Sequence, residues 1–144
     1  MKFWDTSAIV SLCVTEPASA TLKSILSRDA SVVVWWATRT ECVSAFMRQS
    51  REGGLSRESE RQARQVLGLL TGAWTEVQPS ETLRATAERL LAVHPLRAAD
   101  AFQLGAALHW CQRQTTNKEL VSFDTRLRAA GHKEGFTLLP SDLR

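Results

Sequence analysis

The chain opens with the stretch "MKFWDTSA", residues 1–8, in which a short apolar run ends at Asp5. The aromatic and apolar content of residues 1–4 is typical of a buried strand. An aspartate directly after a strand lies at the strand's carboxyl end, where α/β proteins commonly bind their ligands. The opening therefore predicts a strand with a carboxylate at its end.

Further strands and helices follow in alternation. Strands are predicted at residues 31–36 and 119–123, and weaker ones at "WTEV" (74–77) and "FTLL" (136–139). The intervening helices are expected to start at Pro17, at Thr38 or Thr40, at Ser56, at Ser80, within residues 96–111 and after Asp124. Alternating strands and helices indicate an α/β fold, with a parallel sheet covered by helices on its faces.

Composition narrows the class of protein. The 144 residues suit a single domain, residues 1–144, and no apolar run or leader pattern predicts membrane insertion or secretion, so we expect a cytoplasmic protein. Cys13, Cys42 and Cys111 lie far apart among apolar residues and are expected to be reduced core thiols. A net charge of +3 permits a nucleic-acid partner without requiring one.

Three aspartates lie in positions unusual for a surface acid. Asp5 and Asp124 each end a predicted strand, and Asp100 shares a helical face with Leu104 and Leu108. Burying an ionised carboxylate without partners costs several kcal/mol, and a bound divalent cation is one way to keep it charged. A simpler interpretation is that Asp5 and Asp124 are helix N-caps.

Position in the fold favours a shared site. The carboxyl ends of parallel strands lie on one edge of a sheet, so Asp5 and Asp124 should converge there, with Glu41 nearby in the first turn of its helix. Carboxylates without thiolate or imidazole partners suit Mg²⁺ or Mn²⁺. Such ions activate water and neutralise a phosphodiester. The hydroxyls of Thr6, Ser7 and Ser122 either orient water or phosphate or are simple helix caps.

These residues lie in four blocks whose order and spacing resemble a known family. The blocks are "FWDTSAIVSL" (3–12), "TRTECVSAF" (38–46), "LRAADAFQLGAAL" (96–108), and "LVSFDTRLRAAG" (120–131) with "GFTLLP" (135–140). Together they resemble PIN-domain ribonucleases, and most closely the VapC toxins of type II toxin–antitoxin systems. The resemblance covers essentially the whole chain.

The resemblance implies a three-layer fold, a central parallel sheet flanked by helices, and a family quartet of acids at Asp5, Glu41, Asp100 and Asp124. It implies Mg²⁺ or Mn²⁺ as cofactor, with those four acids as metal ligands. Thr6 and Ser122 occupy positions where the family often has a helping hydroxyl. The implied partners are an RNA substrate, a VapB-like antitoxin and a second copy of the chain in a homodimer.

Two other residue types have open roles. Four arginines near the acids either guide an RNA backbone or form surface ion pairs; these are Arg39, Arg97, Arg126 and Arg128. The five tryptophans are expected to be core or dimer-interface anchors rather than base-stacking platforms; these are Trp4, Trp35, Trp36, Trp74 and Trp110.

Other functions fit less well. A phosphotransfer receiver domain requires paired acids after its first strand, and an aspartyl-nucleophile phosphatase requires a second Asp where this chain has Ser7. An RNA-binding or regulatory module without catalysis, and an RNA-processing nuclease with no toxin role, remain as alternatives.

Overall fold

The computed structural model describes residues 1–143. Within them the chain forms five strands and seven helices. The strands are β1 (Lys2–Trp4), β2 (Val32–Trp35), β3 (Thr75–Val77), β4 (Glu119–Val121) and β5 (Thr137–Leu139). The helices are α1 (Thr6–Cys13), α2 (Ser19–Arg28), α3 (Thr38–Arg51), α4 (Arg57–Thr71), α5 (Glu81–Val93), α6 (Ala98–Trp110) and α7 (Thr125–Lys133).

All strand pairs are parallel, and the strand order is β3-β2-β1-β4-β5. The chain builds the sheet outward from β1 through β2 to β3, then crosses to the other side of β1 and adds β4 and β5. The order therefore reverses between β1 and β4. In sheets of this kind a crevice opens at the carboxyl ends of the strands where the order reverses.

Alternate residues of the strands face opposite layers. Trp4, Val32 and Val34 pack with α1 to α4 in one core cluster, and Phe3 and Val33 pack with α5 to α7 in the other. This alternation is the period of two expected of a strand that is buried on both faces. The predicted α/β architecture, a parallel sheet between two helical layers, is confirmed.

The predicted caps of α4 and α5 are confirmed, and the predicted cap of α3 is wrong. Ser56 and Ser80 accept from the backbone N–H groups of Ser59 and Leu83, as N-caps do. Neither Thr38 nor Thr40 caps α3, because the helix starts at Thr38 and its N-cap, Ala37, makes no side-chain bond. The Thr38 hydroxyl is instead fully buried and faces α6.

The cysteines are free and buried, as predicted. Burial raises the pKa of the Cys13 thiol to about 12, so it is uncharged at neutral pH. Two tryptophans, Trp4 and Trp35, lie in the core, whereas Trp36 is 52% exposed. No helix among residues 1–143 is both long and apolar enough to cross a bilayer; the cytoplasmic location stays a prediction.

Candidate active site

Asp5 lies at the end of the central strand. Its backbone N–H bonds to the carbonyl of Val121, so the β1–β4 ladder continues to this residue before α1 begins. Its Oδ1 accepts the backbone N–H of Ala8 at 3.2 Å and the Ser7 hydroxyl at 2.7 Å. Asp5 is therefore the N-cap of α1, and it also lies at the reversal point of the sheet. The capping interpretation is confirmed for Asp5, and its role in a shared site stays a prediction.

Asp124 reaches the same place from β4. Its Oδ1 accepts the backbone N–H of Leu127 at 2.8 Å, which caps α7. The buried Ser122 hydroxyl connects the two aspartates: it donates to Asp5 Oδ2 at 2.9 Å and accepts the backbone N–H of Asp124 at 3.0 Å. The predicted convergence of the ends of β1 and β4 is therefore observed, with Ser122 between them.

Asp100 and Asp124 face a common cleft. The cleft has a volume of about 510 Å³, and its lining is Arg97, Ala99, Asp100, Asp124, Thr125 and Arg126. Asp100 is in the first turn of α6 and Asp124 is half-buried before α7. The cleft thus holds two carboxylates and two guanidinium groups, a combination that suits a cation and a phosphate together.

The acids act on one another electrostatically. Burial raises the pKa of Asp5 to about 7; hydrogen bonds from Ser7, Ser122 and the Ala8 N–H oppose this rise, and the charge of Asp124 adds to it. The pKa of Asp100 is raised by its partial burial and then by the charge of Asp124, with a smaller contribution from Glu41. A positive charge between these groups would relieve the repulsion.

Glu41 is held at the border of this group. The Thr6 hydroxyl donates to Glu41 Oε1 at 2.6 Å, and the side-chain amide of Gln103 donates to the same oxygen at 2.7 Å. No other hydrogen bond from the described residues reaches this carboxylate, so its Oε2 is left for other ligands. Asp124 Oδ2 is likewise free of hydrogen bonds from residues 1–143.

The predicted site residues fall into separate groups in the structure. Asp5, Ser122 and Asp124 form one bonded group, Thr6 and Glu41 form another, and Asp100 lies across the cleft from Asp124. Among residues 1–143, no three acidic, histidine or cysteine side chains are arranged as a ready-made metal site. The four acids therefore share an electrostatic environment without forming a preformed cage.

The arginines divide into two groups. Arg97 and Arg126 are exposed at the cleft, as a role in binding phosphate requires. Arg128 differs from expectation because its guanidinium donates to the carbonyls of Ser122, Leu139 and Pro140 at 2.7–3.0 Å. It fixes the segment after β5 and holds the backbone of Ser122. Arg39 is exposed in the first turn of α3.

Three further polar residues lie at the site, and of these the sequence indicates only the Ser7 hydroxyl. Ser7 donates to Asp5 and accepts the backbone N–H of Phe123 at 2.9 Å, so it also joins β1 to the end of β4. Gln103 and Thr38 are buried beside Glu41. An amide within the alanine- and leucine-rich α6, three residues after Asp100, was the available signal for Gln103.

Residues 2–133 match the family model described as "PIN domain", so the chain belongs to the PIN-domain family. Proteins of this family are generally nucleases. No curated protein matches the sequence significantly.

Solved structures share the fold. FitAcB from Neisseria gonorrhoeae is 15% identical, with a TM-score of 0.66 over 96% of both chains. A toxin–antitoxin complex from Klebsiella pneumoniae is 16% identical, with a TM-score of 0.60 over 90% of this chain and 91% of the other. FitAB bound to an IR36 DNA fragment is 16% identical, with a TM-score of 0.65 over 100% and 98%. At 15–16% sequence identity, the similarity of this chain to these structures shows a shared fold.

Proposed function

We propose that this PIN-family protein is a metal-dependent endoribonuclease and the toxin of a VapBC-type toxin–antitoxin pair. The observation that carries the proposal is the Asp5–Ser122–Asp124 group at the strand-order reversal, with Asp100 facing Asp124 across an open cleft. A nuclease needs carboxylates held where an RNA backbone can reach them. This cleft meets that requirement with Asp100 and Asp124, and Arg97 and Arg126 lie beside them.

The donors fit Mg²⁺ or Mn²⁺. They are carboxylate and hydroxyl oxygens only, which hard divalent ions prefer. We propose Asp5, Glu41, Asp100 and Asp124 as the ligands; Glu41 Oε2 and Asp124 Oδ2 make no hydrogen bond within residues 1–143, and Asp100 is repelled by both neighbours. When bound, the ion would supply an activated water and neutralise charge on the phosphate.

The remaining residues orient the reactants. Ser122 fixes Asp5 through its hydroxyl, and Thr6 fixes Glu41, so both act on the acids that they touch. Arg97 and Arg126 are placed at the cleft to bind the phosphates on either side of the cleaved bond. Their positive charge also offsets the negative field of the acids for an approaching polyanion.

The toxin role rests on different support. One structure with this fold is described as a toxin–antitoxin complex, and the four sequence blocks resemble VapC toxins. We propose that an antitoxin segment carrying an arginine occupies the cleft, and that the chain forms a homodimer. A housekeeping RNA-processing nuclease is the second candidate, since the same cleft would serve it.

Cleavage of labelled RNA by the purified chain tests the nuclease proposal. We expect cleavage with Mg²⁺ or Mn²⁺, none with excess chelator, and none of a DNA strand of the same sequence. Asp100→Asn should abolish cleavage, whereas Asp29→Asn, which alters an acid that pairs with the N-terminal amine, should not. Cleavage that persists in the chelator would refute the metal mechanism.

A second experiment separates toxin from housekeeping enzyme. The product of the adjacent gene is co-expressed with the chain, purified as a complex and added back to the cleavage assay. Inhibition by a co-purifying protein supports the toxin proposal. Full activity in its presence, with no complex formed, favours the RNA-processing alternative.

A further inference from the structure

Gln103 is a buried amide that connects the two helical layers. It lies in the second turn of α6, on one side of the sheet, and is 4% exposed. Its Nε2, which has two hydrogens, lies 2.7 Å from Glu41 Oε1, 2.9 Å from Thr6 Oγ1 and 3.1 Å from Thr38 Oγ1, so that two of these acceptors share one hydrogen. These three partners belong to α1 and α3, which cover the other side. The contact therefore passes over the carboxyl edge of the sheet, beside the acid cleft.

The orientation of the amide follows from its neighbours. Turning the amide over would place its carbonyl oxygen against Glu41 Oε1, an acceptor that already takes the Thr6 hydroxyl. Two acceptors at 2.7 Å would repel each other, so the nitrogen must face the carboxylate.

The consequence for Glu41 is specific. Both of its donors, Thr6 and Gln103, converge on Oε1, which fixes the carboxylate plane and leaves Oε2 without a hydrogen bond from the described residues. A carboxylate fixed in this way presents one oxygen in a constant direction. A flexible glutamate would have to lose that freedom on binding a cation.

The two ends of the Gln103 amide differ in their hydrogen bonding. Gln103 Oε1 is buried and has no hydrogen-bond partner within residues 1–143, and an unpaired buried acceptor costs about 1–3 kcal/mol. The neighbouring α6 residues Leu104, Ala106 and Ala107 are fully buried and apolar. Within the described residues, all of the hydrogen bonding of this amide is therefore made by its nitrogen, which faces Glu41, Thr6 and Thr38.

We propose that Gln103 is a positioning residue for the divalent cation: it presents Glu41 Oε2 to the ion by holding Oε1, and it also fixes Thr6. This inference rests on the proposed metal-dependent function. Partners that orient metal ligands are commonly worth about 10–100-fold in metal affinity.

The test measures Mn²⁺ binding without RNA, from the electron paramagnetic resonance signal of the free ion. Gln103→Met keeps the length of the side chain and removes its donor. We expect its dissociation constant for Mn²⁺ to rise by about 10-fold or more, with a cooperative thermal unfolding transition in chelator that shows the variant to be folded. Gln103→Glu is a second variant that lacks the donor, because it replaces the amide with a carboxylate that faces Glu41 Oε1.

Leu104→Val is the matched control, because it alters the adjacent buried residue of α6 and leaves the amide in place. It should lower the melting temperature and leave Mn²⁺ affinity unchanged. RNA cleavage as a function of Mg²⁺ concentration gives a second readout: for Gln103→Met the concentration giving half-maximal rate should rise, and saturating Mg²⁺ should restore much of the rate.

The outcomes separate the two proposals. A wild type that binds no Mn²⁺ and cleaves no RNA refutes the proposed function, and the role of Gln103 with it. A wild type that does both, while Gln103→Met and Gln103→Glu bind Mn²⁺ as tightly, refutes the role of Gln103 alone. Equal losses of affinity in Leu104→Val and Gln103→Met would mean that the effect is general destabilisation, which also overturns the inference.

Discussion

Replacing Asp5 by asparagine should stabilise the protein above neutral pH in the absence of metal. Asp5 is 3% exposed, and burial raises its pKa from 3.8 to about 7. Between pH 4 and pH 7 the unfolded chain has released this proton while the folded chain still holds it. Stability therefore falls as pH rises through this window, and the full penalty applies above pH 7.

The size of the effect follows from the pKa difference. The interval from 3.8 to about 7 corresponds to about 4 kcal/mol at 1.36 kcal/mol per pH unit. Asparagine resembles the protonated acid in having one donor group and one acceptor, so the two proteins should be close in stability at pH 4. At pH 8.5 Asp5→Asn should be more stable by about 4 kcal/mol, or on the order of 10 °C in melting temperature.

Urea unfolding of both proteins from pH 4 to pH 8.5, in excess chelator, measures this difference. Asp29→Asn is the control, because it should change the free energy of unfolding in the opposite direction. Hydrogen bonding to the N-terminal amine lowers the pKa of Asp29 to about 2, so the charge of Asp29 stabilises the fold above pH 4. Adding Mg²⁺ should stabilise the wild type and leave Asp5→Asn unaffected. A stability difference for Asp5→Asn that does not change with pH would refute the reasoning.

Other changes have distinct signatures. Ser122→Ala removes a hydrogen bond that lowers the pKa of Asp5, so urea unfolding should show a loss of about 1–3 kcal/mol that grows above pH 7; a larger loss at pH 5 would contradict this. Arg128→Met removes the guanidinium bonds to Ser122, Leu139 and Pro140 and should lower the melting temperature while the KM for RNA stays constant; a raised KM would give Arg128 a substrate contact.

Much of the fold was predictable because its signals are local. The apolar runs ending at Asp5 and Asp124, and the serine caps at Ser56 and Ser80, depend on neighbours in sequence. The strand predicted at residues 119–123 ends earlier, at Val121, because the Phe123 N–H bonds to the Ser7 hydroxyl instead of a neighbouring strand.

The position of a site residue could be predicted from the sequence only where the residue lies at the end of a strand of the parallel sheet. Parallel topology brings the ends of β1 and β4 together whatever their separation in sequence. The contact from Gln103 to Glu41 crosses between layers, and nothing in either local sequence encodes it. Thr38 has the sequence pattern of a helix cap for the same reason, because its actual partner, the Gln103 amide, lies 65 residues away. Arg128 is adjacent to the acids in sequence, yet it binds backbone carbonyls that only the folded chain brings near.

The strand order has a consequence for biosynthesis. The middle strand, β1, precedes the other four strands in the chain, and six helices separate it from β4, one of its two neighbours in the sheet. A nascent chain therefore carries Asp5 long before Asp100, Ser122 and Asp124 have been added, and domains generally fold as units. We expect the proposed site to be complete only once the segment from Asp100 to Asp124 has been translated and β4 has joined β1.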